Sequence, residues 1–257
     1  MKSRDPFGEL EARKGMPPGL RQRFPDRVLV MTTDKCFSYC PHCTRKFILG
    51  KTEVVDTPAK IAECVKFVKR HRKVRDVLLS GGDVLTLPDK KVLEFVGAFA
   101  ALDQIDIVRI CTRALVSNPD RVTDALARGL ARVGRGKVWA NVHINTAAEA
   151  ALAREAAARL VGCGVPVSSQ TVLLRGVNDT PRKMLALLRA LSAARIRPYY
   201  VFQCDPVAGL SRFRVPLARA KKIEAYCAER IGGLALPRFV ADVPGAPRKI
   251  PLDLLGV

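Results

Sequence analysis

Residues 27–43 read RVLVMTTDKCFSYCPHC, an apolar run over 28–33 followed by a loop with three cysteines in eight residues. A short apolar run of this kind suits a buried strand, and the loop leads on to residues 57–70. There Ile61, Cys64, Val65 and Val68 recur at helical spacing behind Pro58, a helix-entry residue. The same alternation repeats outward along the chain. Strands are expected at 76–79, 107–111, 138–143, 165–174, 197–204 and 237–242, and helices at 89–102, 119–133, 146–161, 181–194 and 216–230. Six strand–helix units in regular order favour parallel strands with helices outside. Near-continuous apolar strands suggest a sheet covered on both faces. Six units fall short of a closed eightfold barrel. The fold class is therefore α/β, an open, partial (β/α)6 TIM-like barrel, with a doubly wound open sheet as its rival. In either architecture functional residues belong in the loops at the C-terminal ends of the strands.

Composition narrows the classes. The chain has 257 residues, 48% of them hydrophobic, which suits one domain with a sizeable core. No run of 18 uncharged apolar residues is present, so no membrane span is expected. The opening MKSRDPFGELEARKG lacks the apolar stretch of a secretory signal, and a cytoplasmic address is expected. The net charge is +20, large enough to raise nucleic-acid binding. However, the basic residues are spread along the chain, many on expected outer helix faces such as Lys66, Lys69, Arg70, Arg182, Lys183 and Arg189. They read better as a solvated surface tolerant of anionic substrates. Residues 1–26 are rich in proline and charge and carry no clear period.

Five of the eight cysteines (Cys64, Cys111, Cys163, Cys204, Cys227) sit in apolar or helical contexts, as small buried side chains do. Cys36, Cys40 and Cys43 are different, because a disulfide framework has no need for such crowding. Thiolates bind iron–sulfur clusters, and three protein ligands leave one iron open to an outside ligand. The competing readings are a zinc ion held by the three cysteines and His42, or three unrelated buried thiols. Zinc sites are commonly built from paired short-spaced motifs, and no second pair follows here.

Residues 36–46, CFSYCPHCTRK, match the signature loop of radical S-adenosylmethionine enzymes. Residues 24–46, 75–87 (RDVLLSGGDVLTL), 138–145 (VWANVHIN), 167–180 (VSSQTVLLRGVNDT), 197–214 (RPYYVFQCDPVAGLSRFR) and 239–249 (FVADVPGAPRK) narrow the match further. Together they resemble the lysine 2,3-aminomutase family, in order from about residue 5 to residue 252. The resemblance implies a radical S-adenosylmethionine partial barrel whose Cys36, Cys40 and Cys43 hold a 4Fe-4S cluster. Ser80, Gly81, Gly82 and Asp83 match the motif that meets the amino group of S-adenosylmethionine, with His143 and Gln170 as further polar contacts. Lys249 matches the lysine that carries pyridoxal 5'-phosphate, and Arg23 and Arg27 the arginines at that cofactor's phosphate. Arg45 matches the partner of the substrate carboxylate, and Asp205 and Asp242 the acids that receive the distal ammonium of lysine. The implied reaction interconverts L-lysine and β-lysine.

The sequence departs from the family pattern at Phe24, where relatives have tyrosine, and at Pro247 and Arg248, where relatives are richer in glycine. It also looks short for the family, lacking most of the N-terminal region and the C-terminal zinc-binding segment. The expected division is an N-terminal extension, 1–26, contributing to the cofactor-phosphate site, and a barrel, 27–257, ending in the cofactor-lysine segment. Expected partners are a small amino acid, lysine above arginine or another cationic one, and an external electron donor such as flavodoxin or ferredoxin. A homo-oligomer is compatible with all of this. The alternatives are a radical enzyme with a changed substrate or reaction and a zinc-stabilised basic module that binds nucleic acid.

Overall fold

The computed structural model describes residues 3–10 and 12–256. Nine strands form one sheet in strict chain order: β1 (Leu20–Phe24), β2 (Arg27–Thr33), β3 (Asp76–Gly81), β4 (Ile107–Thr112), β5 (Val138–His143), β6 (Val167–Leu173), β7 (Arg197–Gln203), β8 (Arg238–Ala241) and β9 (Ile250–Pro251). Strands β2 to β8 run parallel, while β1 and β9 pair antiparallel at the two edges. The helices are α1 (Pro58–Arg70), α2 (Asp89–Ala100), α3 (Ala114–Ser117), α4 (Asp124–Gly134), α5 (Ala147–Leu152), α6 (Arg154–Gly162), α7 (Pro181–Ala193) and α8 (Leu217–Ala228).

Because the strand order never reverses, each crossover steps the same way around the sheet. Right-handed crossovers then leave the helices on one face. A doubly wound sheet reverses its order part-way, so that rival is excluded. The first strand pairs only with β2 and the last only with β8, leaving the barrel open.

Side-chain alternation divides each strand. Val77 and Leu79 of β3, Val108 and Ile110 of β4, Ala140 and Val142 of β5, and Val201 of β7 join the helix-facing core. Their neighbours Leu78 and Ser80, Arg109 and Cys111, Asn141 and His143, and Tyr200 and Phe202 line a cavity on the other face. The expectation of a sheet covered on both faces is therefore wrong. Single apolar residues on the inner side lengthened the apolar runs without any second layer to meet them.

The helices begin where the sequence supplies caps. Thr57, Thr123, Thr146 and Thr180 each accept the backbone N–H three residues on, and Pro58 and Pro181 start α1 and α7. The expected helix over 119–133 begins with a short 3-10 turn, with Thr123 capping the α-helix proper. The expected helix over 146–161 breaks at Ala153, so that α5 lies along α7 while α6 lies along α4. Ahead of residue 27, β1 pairs antiparallel with β2 and adds an edge strand to the sheet. Its Arg21 is buried, donating to the carbonyls of Glu9, Leu10 and Leu20 and to Thr52. A buried arginine in a strand hides the apolar pattern that would announce it.

The loop after β2 is docked by glycines. Gly82 N–H donates to Thr33 O at 2.7 Å and Asp83 N–H to Lys35 O at 2.8 Å. A Cβ on Gly82 would overlap the Lys35 carbonyl, and one on Gly81, at φ +106°, would lie 2.7 Å from Thr33 O. The two glycines thus admit neighbouring chain, which fixes the start of the cysteine loop. Gly82→Ala is expected to cost roughly 1–3 kcal/mol, a melting temperature lower by about 3–10 °C, and to lower iron uptake. Gly162→Ala, with open space around it, is the control, and equal melting of the two variants would contradict this account of the loop.

Candidate active site

The cavity inside the open barrel has a volume of about 630 Å³. All fifteen residues singled out from the sequence line it: Cys36, Cys40, Cys43, Arg23, Arg27, Arg45, Ser80, Gly81, Gly82, Asp83, His143, Gln170, Asp205, Asp242 and Lys249. They come from β1, the start of β2 and the loop after it, the ends of β3 and β5, the middle of β6, the turns after β7 and β8, and the residue before β9. The pairings within the cavity differ in several places from those the sequence suggested.

Cys36, Cys40 and Cys43 are free, partly buried thiols. Burial, then the charge of Asp83, pushes the Cys36 thiol up to about 11, and burial likewise raises Cys43. Arg113, one residue beyond β4, places Nη1 3.2 Å from Cys40 Sγ and donates from Nη2 to Glu149 at 2.7 Å. Among the described residues, no three His, Cys, Asp or Glu side chains converge on a point that one metal ion could occupy. Thiols spread around a cavity suit a cluster, which is wider than a single ion. His42 is also spent elsewhere: its Nε2 lies 3.0 Å from Nε2 of His143, with the rings stacked. Among the described residues, the zinc reading has no fourth ligand.

The histidine pair is uncharged at neutral pH. Burial, then the charge of Arg113, lowers His42 to about 4, and burial, then His42 and Arg113, lowers His143 to about 3. Asn145 accepts from the Val172 N–H through Oδ1, so its amide is oriented to donate 2.9 Å to His143 Nε2. These groups offer a cofactor neutral hydrogen-bonding edges.

Asp83 was expected to offer its carboxylate to an ammonium. In the structure Oδ1 accepts from Thr112 Oγ1 at 2.6 Å and the Leu85 N–H at 3.0 Å, and Oδ2 from the Arg113 N–H at 2.8 Å. It ties the ends of β3 and β4 together, leaving the glycine backbone and Ser80 to face the cavity.

At the other end, Arg23 of β1 forms a two-point pair with Asp242, just after β8 (2.7 and 3.0 Å), across the open seam of the barrel. Arg27 pairs with its neighbour Asp26. The expected phosphate role of Arg23 therefore meets a competing carboxylate. Lys249 Nζ lies 3.3 Å from Asp242 and near the rings of Phe24 and Phe202. Burial lowers the Lys249 pKa despite Asp242, with Arg23 and Arg27 adding to the effect. Burial opposes the charge of Asp242 too, but the contacts from Arg23 and Lys249 outweigh it and hold that carboxyl below the usual range.

Asp205 is the opposite case. Its Oδ1 is buried with no hydrogen-bond partner. Burial, then the negative charge of Asp242, lifts its carboxyl to about 7, against the pull of Lys249 and Arg23. The two expected ammonium acids thus share a cavity in different states, one neutralised by two cations and one unpaired. Arg45 is paired as well, with Glu9 (2.7 and 3.2 Å). Glu9 outweighs the burial that opposes the arginine's charge and raises its pKa.

Sequence reasoning missed Glu9, Arg113, Glu149 and Asn145. Arg113 and Asn145 were findable, because each lies one or two residues past a parallel strand. Glu9 lies in a stretch without period and offered no signal.

The radical SAM superfamily model matches residues 30–188. L-lysine 2,3-aminomutase of Fusobacterium nucleatum is 39% identical over 236 residues, covering 91% of this chain and 55% of that protein. This chain belongs to the radical SAM superfamily, on its lysine 2,3-aminomutase branch. Glutamate 2,3-aminomutase of Clostridioides difficile is 33% identical over 250 residues, covering 96% of this chain and 58% of that one. The chain spans little more than half the length of these relatives. Among solved structures, a radical SAM methyltransferase from Sphaerobacter thermophilus has a TM-score of 0.57 at 18% identity, covering 89% of this chain and 70% of that one. That likeness concerns the fold alone. Membership of the superfamily brings with it a 4Fe-4S cluster and S-adenosylmethionine. The three free thiols, the Arg113 contact and the neutral histidine pair fit both groups.

The buried acid gives a pH signature. Unfolded, Asp205 releases its proton near pH 4, whereas folded it keeps it to about pH 7. The folded state binds more protons between those values, so Asp205 withdraws stability as pH rises through that window. For cluster-free protein, Asp205→Asn should match wild type near pH 4 and melt roughly 3 °C or more above it at pH 8. A melting difference that stays constant with pH would contradict the assignment.

Proposed function

We propose that the chain catalyses the interconversion of L-lysine and β-lysine, with pyridoxal phosphate attached at Lys249. The observation that carries the reading is the unpaired, buried carboxylate of Asp205 in the same cavity as Lys249 and Arg45. A buried acid without a partner is costly, and a substrate ammonium would relieve that cost. A glutamate side chain would bring a third carboxyl group beside Asp205 and Asp242, so the acids favour the cationic substrate. Nothing in the cavity separates lysine from a longer cation such as arginine except length.

Each residue then has a task. Arg45 would take the α-carboxylate through the guanidinium edge that Glu9 leaves open, and Asp205 the distal ammonium, with Asp242 adding negative field. Together they would fix the amino acid at both ends and align its second and third carbons. Lys249, with its depressed pKa, would hold the amine neutral enough to attach the cofactor. Arg27, and Arg23 once drawn from Asp242, would face its phosphate. Cys36, Cys40 and Cys43 would hold the cluster, with His143, Gln170, Ser80 and the Gly81–Gly82 backbone around S-adenosylmethionine. When bound, these groups supply one-electron chemistry at an unactivated carbon and a carrier for the migrating nitrogen. An external donor of the flavodoxin or ferredoxin class would supply the electron.

Borohydride treatment of cofactor-loaded protein, followed by mass spectrometry, should fix one pyridoxyl group on Lys249, and Lys249→Ala should gain none while taking up iron normally. Labelling at another lysine would remove Lys249 from this role. Asp205→Asn should lower kcat/KM for lysine by roughly 30-fold or more, the usual loss on removing one partner of a buried charge pair. Undiminished lysine turnover in that variant would dismiss the ammonium site.

A further inference from the structure

The segment before β1 reaches the cavity with Phe7 and Glu9. Glu9 is only 8% exposed and reaches Arg45 with both carboxylate oxygens. It meets Arg45 from the side, through Nε and Nη2, and Nη1 donates to nothing among the described residues. A guanidinium carries five N–H donors in a rigid fork. A side-on carboxylate therefore leaves the end-on edge, Nη1 with the second Nη2 proton, available to another carboxylate.

Glu9 is itself firmly placed. Asp5 accepts the Glu9 N–H at 2.9 Å and the Leu10 N–H at 2.8 Å. Buried Arg21 donates to Glu9 O at 2.7 Å and to Leu10 O at 2.9 Å. The backbone around Glu9 is thus held by Asp5 of its own segment and by Arg21 of β1, and Glu9 sits on a platform rather than on a loose arm. Glu9 supplies both of the side-chain hydrogen bonds that orient the Arg45 guanidinium.

We propose that Glu9 is a positioning residue for substrate recognition: it holds Arg45 side-on so that the open edge of the guanidinium receives the α-carboxylate of the amino acid. The inference rests on the lysine reading above and adds a residue to it. The opposite role, in which Glu9 occupies the carboxylate's seat and must be displaced, predicts the opposite sign on mutation.

The test uses protein loaded with cluster and pyridoxal phosphate, and measures L-lysine binding by calorimetry alongside steady-state kinetics. Glu9→Gln keeps the shape and removes the charge. It should raise the dissociation constant and KM for lysine roughly tenfold while kcat stays within about threefold. Inhibition by 1,5-diaminopentane, which has both amines and no carboxylate, should not change. Glu9→Asp should fall between the two, which also serves should Glu9→Gln melt early. In an Arg45→Lys background, Glu9→Gln should add little, because the two residues act as one unit. Unchanged or tighter lysine binding by Glu9→Gln overturns the proposal while leaving the lysine reading intact, as does an equal effect on 1,5-diaminopentane or a full effect in the Arg45→Lys background. If wild type binds no lysine at all, the lysine reading itself falls and takes the proposal with it.

Discussion

The structure depends on a parallel sheet wound in one direction only. Since every crossover steps the same way, the helices gather outside and the inner face of β2 to β8 is left without a covering layer. Arg109, Cys111, Asn141, His143, Gln170 and Tyr200 can therefore point inward without having to be buried in oil. The register that sends Val108 and Ile110 to the core sends Arg109 and Cys111 to the cavity, and no local change could separate the two.

Charge is kept in balance inside this cavity by pairing. Arg45 has Glu9, Arg113 has Glu149, and Asp242 has both Arg23 and Lys249. Buried ions left alone would shift their pKa values or destabilise the fold. Asp205 is buried without such a partner, and it marks where a cation from outside would be welcome. The same balance explains why the residues expected at a phosphate and at an ammonium, Arg23 and Asp242, meet each other across the seam. Each ion neutralises the other, and each becomes available as the other is engaged.

Much of this was legible in the sequence, for physical reasons. The cysteine spacing, the threonine caps and the strand–helix rhythm are local, and local patterns survive in a one-dimensional reading. So does the placement of functional residues at the strands' C-terminal ends, because parallel winding brings those ends together. What was not legible was long-range. Arg23 with Asp242 spans 219 positions and Glu9 with Arg45 spans 36, and no period or motif joins either pair. Gly82 and Asp83 were visible as a motif, but their immediate tasks, admitting the Lys35 backbone and tying β3 to β4, appear only when the chains are packed. Strand β1 escaped notice because Arg21 lies buried within it.

On the reading proposed above, Cys36, Cys40 and Cys43 hold a cluster with one open iron. Anaerobic loading with iron and sulfide, followed by metal analysis and electron paramagnetic resonance of the reduced protein, tests it most directly. About four irons per chain are expected, with a reduced-cluster signal that S-adenosylmethionine perturbs, and a sharp loss of both when Cys36, Cys40 or Cys43 becomes serine. Stoichiometric zinc with no cluster signal, or iron uptake indifferent to those cysteines, would contradict it.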